Sequence, residues 1–274
     1  MIKSIEFGNQ EFKDKAELFK ALKENKELII SNKKANKTKS TPIEGVYQNI
    51  DTITKGFNDA EEGYIYPVIN TIGYMDSHND VHIKGIWDKS SKDKQHKIYY
   101  TTDHKLEIDK IIAYPEDVEI CVYDTTFKNL GYNKEGDTEV LAYKISTDVF
   151  SYANTQAVKH INAKKHFQHS VKMEYVKMSL CINSEDKEFK SEKKEFDKYI
   201  SQVANHEKAY DLGFFWAQTE AKIVQEGSML PFGSNDITPM NYGNEPSQDT
   251  QKAEKEPSND IQKARDEIYL MFGK

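Results

Sequence analysis

His166-Phe-Gln-His-Ser-Val-Lys-Met-Glu-Tyr-Val-Lys-Met-Ser-Leu-Cys-Ile182 is the stretch from which the rest of the chain is read. Apolar residues alternate with polar ones, as Val171, Met173 and Tyr175 and then as Val176, Met178, Leu180 and Ile182. That is the period of one long strand. The two runs are out of phase between Tyr175 and Val176. A slip of one residue exchanges the buried and exposed faces, so a bulge or sharp bend is expected there, the device that turns a strand around the corner of a small barrel. Ser170 falls on the face opposite Val171 and Met173, with His169 beside it. A hydroxyl at the start of a rigid strand has the steady backbone a nucleophile needs, although a serine on the polar face of a half-buried strand is also ordinary.

Upstream, residues 11–26 place Phe12, Ala16, Phe19 and Leu22 or Lys23 at helical spacing, and a short strand is expected at Leu28-Ile-Ile30. The lysine-rich run from Asn32 to Lys39 reads as a solvated linker, since it has no aromatics to stack on bases. Strands are expected at 64–75, 80–87, 97–103, 110–114, 118–123 and 140–145. Ser146 or Thr147 is expected to cap a helix reaching about residue 160. Downstream, Phe189, Phe196, Ile200 and Val203 form one stripe of a helix over 185–207, and 213–226 returns as a strand that Gly227 allows to bend beside Ser228. Residues 235–257 read as a linker, and Ser258 caps an expected terminal helix carrying Ile261, Ala264, Ile268, Met271 and Phe272 on one face.

The 274 residues, 37% hydrophobic and 30% charged, suit one sizeable core with appendages. Met1-Ile-Lys-Ser-Ile-Glu lacks the apolar run of a signal peptide, and no later run approaches the roughly 18 apolar residues of a membrane span, so no membrane partner is expected. A net charge of -7 with Arg265 as the only arginine argues against nucleic acid as a partner. Cys121 and Cys181 sit in apolar, strand-like runs and read as buried free thiols.

Four motifs, which follow one another along the chain in the family's order, carry a resemblance. His169-Ser-Val-Lys-Met-Glu-Tyr175 resembles the nucleophile strand of the tailed-phage prohead proteases, capsid-maturation serine proteases related to herpesvirus assemblins. Asp76-Ser-His-Asn-Asp-Val-His-Ile-Lys-Gly-Ile-Trp87 is similar to that family's early hairpin, and Tyr100-Thr-Thr-Asp-His104 to the strand ending in its catalytic histidine. Glu226-Gly-Ser-Met-Leu-Pro-Phe-Gly-Ser-Asn235 resembles its Glu-Val-Ser-Leu-Val-Pro strand. The likeness spans roughly 64–239. It implies a mixed α/β, mainly β fold, a small closed or orthogonal barrel surrounded by helices, over 45–240. A helical extension would occupy 1–44, and a linker with an amphipathic helix 241–274.

The resemblance also implies a triad: Ser170 as nucleophile, His104 as general base and Glu226 as the group that orients it, with no metal and no cofactor. His160, His166 and His169 compete with His104, and Glu220 and Asp103 with Glu226. His169 is the poorer base, because strand neighbours point to opposite faces. Lys172 stands where the family has glycine and is placed on the serine's own face, to block or to assist. Lys84 replaces the hairpin proline, and no acidic residue directly follows His104. Asp76, His78, Asp80 and His82 alternate like metal ligands, but Asp-x-x-Asn-Asp is also turn chemistry, and the turn is expected. The activity implied is a serine endopeptidase cutting scaffold, major capsid protein and itself inside an assembling procapsid in the host bacterial cytoplasm, with self-association as a further expectation. The alternatives are a catalytically silent capsid-assembly or scaffold protein of the same fold and a cytoplasmic hydrolase unrelated to a virus.

Overall fold

The computed structural model describes residues 1–35 and 60–242. Two strands, β1 (Ile2–Ser4) and β2 (Gln10–Phe12), form an antiparallel pair, followed by helices α1 (Lys15–Glu24) and α2 (Lys26–Lys34). The body then runs β3 (Tyr64–Thr71), β4 (Asp80–His82), α3 (Asp88–Asp93), β5 (Tyr99–Thr102), β6 (Ile111–Ala113), β7 (Glu119–Thr126), β8 (Asp137–Ser146), α4 (Thr155–Asn162), β9 (Gln168–Ile182), α5 (Lys190–Tyr199), α6 (His206–Leu212), β10 (Phe214–Leu230) and β11 (Met240–Tyr242).

β10 is the spine of the larger sheet. β9 lies antiparallel along it, while β4 pairs parallel with its first half and β5 with its second, and β6 extends β5. The second sheet has the order β11-β3-β8-β7. The expected closed barrel is not formed: the described strands make separate sheets, none closed on itself. Ile65 and Ile69 of β3 and Leu141 and Tyr143 of β8 share one apolar cluster with Tyr100, Val171 and Ile223 of the larger sheet. Apolar contact between the faces of two sheets therefore does the work that hydrogen-bonded closure does in a barrel.

The phase slip in β9 is a real irregularity. Lys177 pairs with Glu220 and Tyr175 with Ala221, so Val176 is left without a partner, 40% exposed. Before it, Val171 and Tyr175 face the cluster between the sheets; after it, Leu180 and Ile182 join a second cluster with Leu18, Phe19, Leu22 and Ile29. One strand thus serves two cores, because the bulge rotates its apolar face. The amino-terminal helices belong to the same compact unit as the sheets.

Several boundaries differ from expectation. Leu28-Ile-Ile30 lies in α2, not a strand; three apolar residues fit either period, and the neighbours carry Ile29 and Lys33 onto one helical face. Lys33, expected in a solvated linker, is buried, its Nζ 2.8 Å from Asp80 Oδ1. The helix expected from Ser146 is split: a 3-10 segment spans Thr147–Ser151, and α4 starts afresh where Asn154 Oδ1 accepts from the amides of Gln156 and Ala157. The helix expected over 185–207 ends at Tyr199, and α6 stops at Gly213, whose φ of 79° closes it before β10. Cys181 is buried and Cys121 half-buried; both are free. The linker expected over 235–257 is not one at its start: Ile237, Thr238 and Met240 are buried and β11 pairs antiparallel with β3, because these residues close the sheet edge; the rest of that stretch and the expected terminal helix lie outside the described residues. Among the described residues no helix is long and apolar enough to cross a membrane.

Candidate active site

Two chain irregularities bring His104 and Glu226 together. In β10, Ile223 pairs with Met173 and Gly227 with Val171, so β10 advances four residues while β9 advances two. Gln225 takes up the excess at a φ of 64°, and Glu226 emerges from the bulge. Glycine suits position 227, since a Cβ there would lie 2.8 Å from the Tyr143 hydroxyl and force that ring to shift. At the end of β5, Asp103 and His104 both have a φ of 55°. Left-handed backbone costs a non-glycine residue roughly 1–2 kcal/mol, so this turn needs compensation. It comes from Asp103 N–H donating to Met229 O at 3.1 Å and His104 N–H donating to Ser228 Oγ at 3.0 Å.

His104 Nδ1 lies 2.8 Å from Glu226 Oε1. An ionised carboxylate can only accept, so Nδ1 carries the proton and, in the neutral ring, Nε2 keeps its lone pair. The carboxylate is fully buried, whereas the imidazole side chain is 38% exposed. The orienting group is sealed and the base is reachable.

Ser170 is delivered to the same row. It pairs with Ser228 across β9 and β10, and Ser228 pairs with Thr101 across β10 and β5. Directly opposed residues project to the same face with Cβ atoms roughly 5 Å apart. Ser170 is half-buried. Among the described residues no hydrogen bond joins its hydroxyl to the His104 ring; such contacts commonly form only with substrate in place. The structure therefore joins two of the three expected residues directly and sets the third in the adjoining strand position.

The competing residues lie elsewhere in the hydrogen-bond and pocket arrangement of the structure. His169 is buried on the core face, with Nδ1 2.8 Å from Thr238 O and Nε2 2.9 Å from the Tyr100 hydroxyl, and desolvation lowers its pKa to about 4. Both nitrogens are engaged and the ring stays neutral. His160 and His166 line a cavity of about 350 Å3 at the ends of β5 and β10, bordered by Asp103 and Pro231. Glu220 forms an ion pair with Lys177. Lys172 turns to Gln225, its Nζ 2.7 Å from Oε1.

Asp76, Asp80 and His82 of the hairpin are tied up in internal hydrogen bonds. Asp76 Oδ1 accepts from the amides of His78 at 2.8 Å and Asp80 at 3.0 Å, which is the expected turn. His82 Nδ1 lies 2.8 Å from Asn70 Oδ1 and Nε2 3.0 Å from the Tyr175 hydroxyl; burial lowers its pKa to about 4. Among the described residues no three His, Cys, Asp or Glu side chains converge as a metal site would.

The hydroxyls of Thr101 and Ser228 belong to the site as well, although no catalytic motif in the sequence marks them. Ser228 Oγ is 2.7 Å from Glu226 Oε2 and 2.6 Å from Thr101 Oγ1. The Glu-x-Ser spacing, which puts both side chains on one strand face, was the available signal. Comparison with protein-family models, with curated proteins and with solved structures finds no match to this chain.

Proposed function

We propose that the protein is a serine endopeptidase of capsid maturation, with Ser170 as nucleophile, His104 as general base and Glu226 as its orienting carboxylate. The observation that carries this reading is the His104–Glu226 contact of 2.8 Å, with Ser170 paired in strand register to Ser228, the residue whose hydroxyl touches both. A serine hydroxyl is a weak nucleophile at neutral pH. Nε2 of His104 would take its proton as the hydroxyl oxygen attacks the peptide carbonyl, and would then return that proton to the leaving amine. Glu226 would hold the ring through Nδ1–H and stabilise the imidazolium while it exists. The substrates, scaffold and major capsid protein, and the setting inside a procapsid follow from the motif resemblance alone.

One observation favours a second reading, a catalytically silent capsid-assembly protein. The Ser170 hydroxyl and the His104 ring lack the hydrogen bond of a primed pair. Co-expression with a candidate capsid protein separates the two. Cleavage of that protein, or trimming of the protease chain itself seen by intact mass, should vanish in Ser170→Ala. Capsids that mature normally with Ser170→Ala would favour the silent protein.

A further inference from the structure

We infer that Ser228 and Thr101 are positioning residues: a chain of two hydroxyls that locks the His104–Glu226 couple in one tautomer and one orientation. The inference rests on the proposed role of the couple and concerns how it is held. Ser228 Oγ has three polar neighbours, Glu226 Oε2 at 2.7 Å, the His104 amide nitrogen at 3.0 Å and Thr101 Oγ1 at 2.6 Å. A hydroxyl offers one proton and two lone pairs. The amide can only donate and the carboxylate can only accept. The Ser228 proton therefore goes to Glu226, one lone pair takes the His104 N–H, and the other takes the Thr101 proton. Every valence of Ser228 is used, and the shorter contacts set the direction from Thr101 through Ser228 to Glu226, since Thr101 Oγ1 lies 2.6 Å from Ser228 Oγ and 3.4 Å from Glu226 Oε2.

Each Glu226 oxygen then has a primary donor, the Ser228 hydroxyl on Oε2 and the His104 ring on Oε1. The carboxylate cannot turn without breaking both bonds. The same Ser228 oxygen also anchors the left-handed backbone of His104. One side chain thus fixes the main chain of the base and the carboxylate that orients it. Thr101, Ser228 and Glu226 are all fully buried, so water does not compete for these bonds.

The test uses the full-length protein with 15N-labelled histidine, read by NMR. Wild type should show His104 with Nδ1 protonated and that proton exchanging slowly. Ser228→Ala should speed the exchange by about 10–100-fold, the worth of one hydrogen bond to a charged group, and shift the ring toward the tautomer mixture of free imidazole. Thr101→Val, nearly the same shape, should move both readouts in the same direction by less, and Thr101→Ser should restore them. These two variants keep the test decisive if Ser228→Ala disturbs folding. In parallel, labelling of Ser170 by a fluorophosphonate should slow by about 10–100-fold in Ser228→Ala. Wild-type exchange and tautomer in both Ser228→Ala and Thr101→Val would overturn the positioning role. An unlabelled wild type whose imidazole still responds to the hydroxyl variants would overturn Ser170 as nucleophile and leave the positioning role standing.

Discussion

Replacing Lys33 by methionine should destabilise the protein far more than a surface lysine replacement, and the structure sets the size of the effect. The Lys33 ammonium lies 2.8 Å from Asp80 Oδ1 and 2.9 Å from the His78 carbonyl oxygen, with its side chain 2% exposed and that of Asp80 4%. Removing one partner of a buried ion pair leaves the other charge uncompensated, which costs about 3–5 kcal/mol. Asp80 would keep the Gln218 amide at 2.9 Å and the Tyr175 hydroxyl at 3.3 Å, but no cation in hydrogen-bond contact, only the more distant charge of Lys208, with the Asp76 carboxyl still close by. At ~2–4 °C per kcal/mol for a body of this size, the thermal midpoint should fall by roughly 6–20 °C. Two controls isolate the cause. Lys33→Met with Asp80→Asn removes both charges and should recover most of the loss. Lys84→Met breaks a pair whose partners are 63% and 78% exposed and should stay within about 1 kcal/mol of wild type. Urea unfolding at pH 7 measures all three. A Lys33→Met protein within about 1 kcal/mol of wild type, or a double variant no better than the single, would refute the reasoning.

Acid should weaken the fold through His82 and His169. Both are buried with pKa lowered from the usual 6.5 to about 4, so the folded protein keeps them neutral while the unfolded chain takes up protons below 6.5. Their stabilisation is complete above pH 6.5 and is lost as the pH falls to about 4, roughly 3 kcal/mol for each; thermal midpoints measured across that range should decline less in His169→Gln than in wild type. Gly227→Ala should cost about 1–3 kcal/mol or more, because the added methyl meets the Tyr143 ring and hydroxyl at 2.8 Å; Tyr143→Leu in the same chain should relieve part of the loss in chemical denaturation. Asn154→Ala should cost about 1 kcal/mol by leaving the amides of Gln156 and Ala157 without their cap.

The features legible in the sequence were those carried by local period. The bend in β9 follows from the change of apolar phase at Val176, and the separation of Ser170 from His169 follows from strand alternation. The pairing of His104 with Glu226 was available only through motif resemblance, since no local pattern links residues so far apart. What stayed hidden depends on tertiary contact. Lys33 sits in a run of lysines, and it is the carboxylate of Asp80, the His78 carbonyl and the face of Trp216, 5.7 Å from Nζ, that make it an interior residue. The break in the expected helix after Ser146 turns on Asn154 capping a fresh start, a signal weaker than the apolar stripe that crosses it. Barrel closure depends on which strand edges meet, and alternation alone does not fix that.

The central claim is that the His104–Glu226 couple activates Ser170, and the most direct measurement is adduct mapping after exposure to a fluorophosphonate. The account predicts a single adduct on Ser170 in wild type, none in Ser170→Ala, and labelling slowed by about 100–10,000-fold in His104→Gln. A wild-type chain that stays unmodified, or one modified at another residue at a rate indifferent to His104, would contradict it.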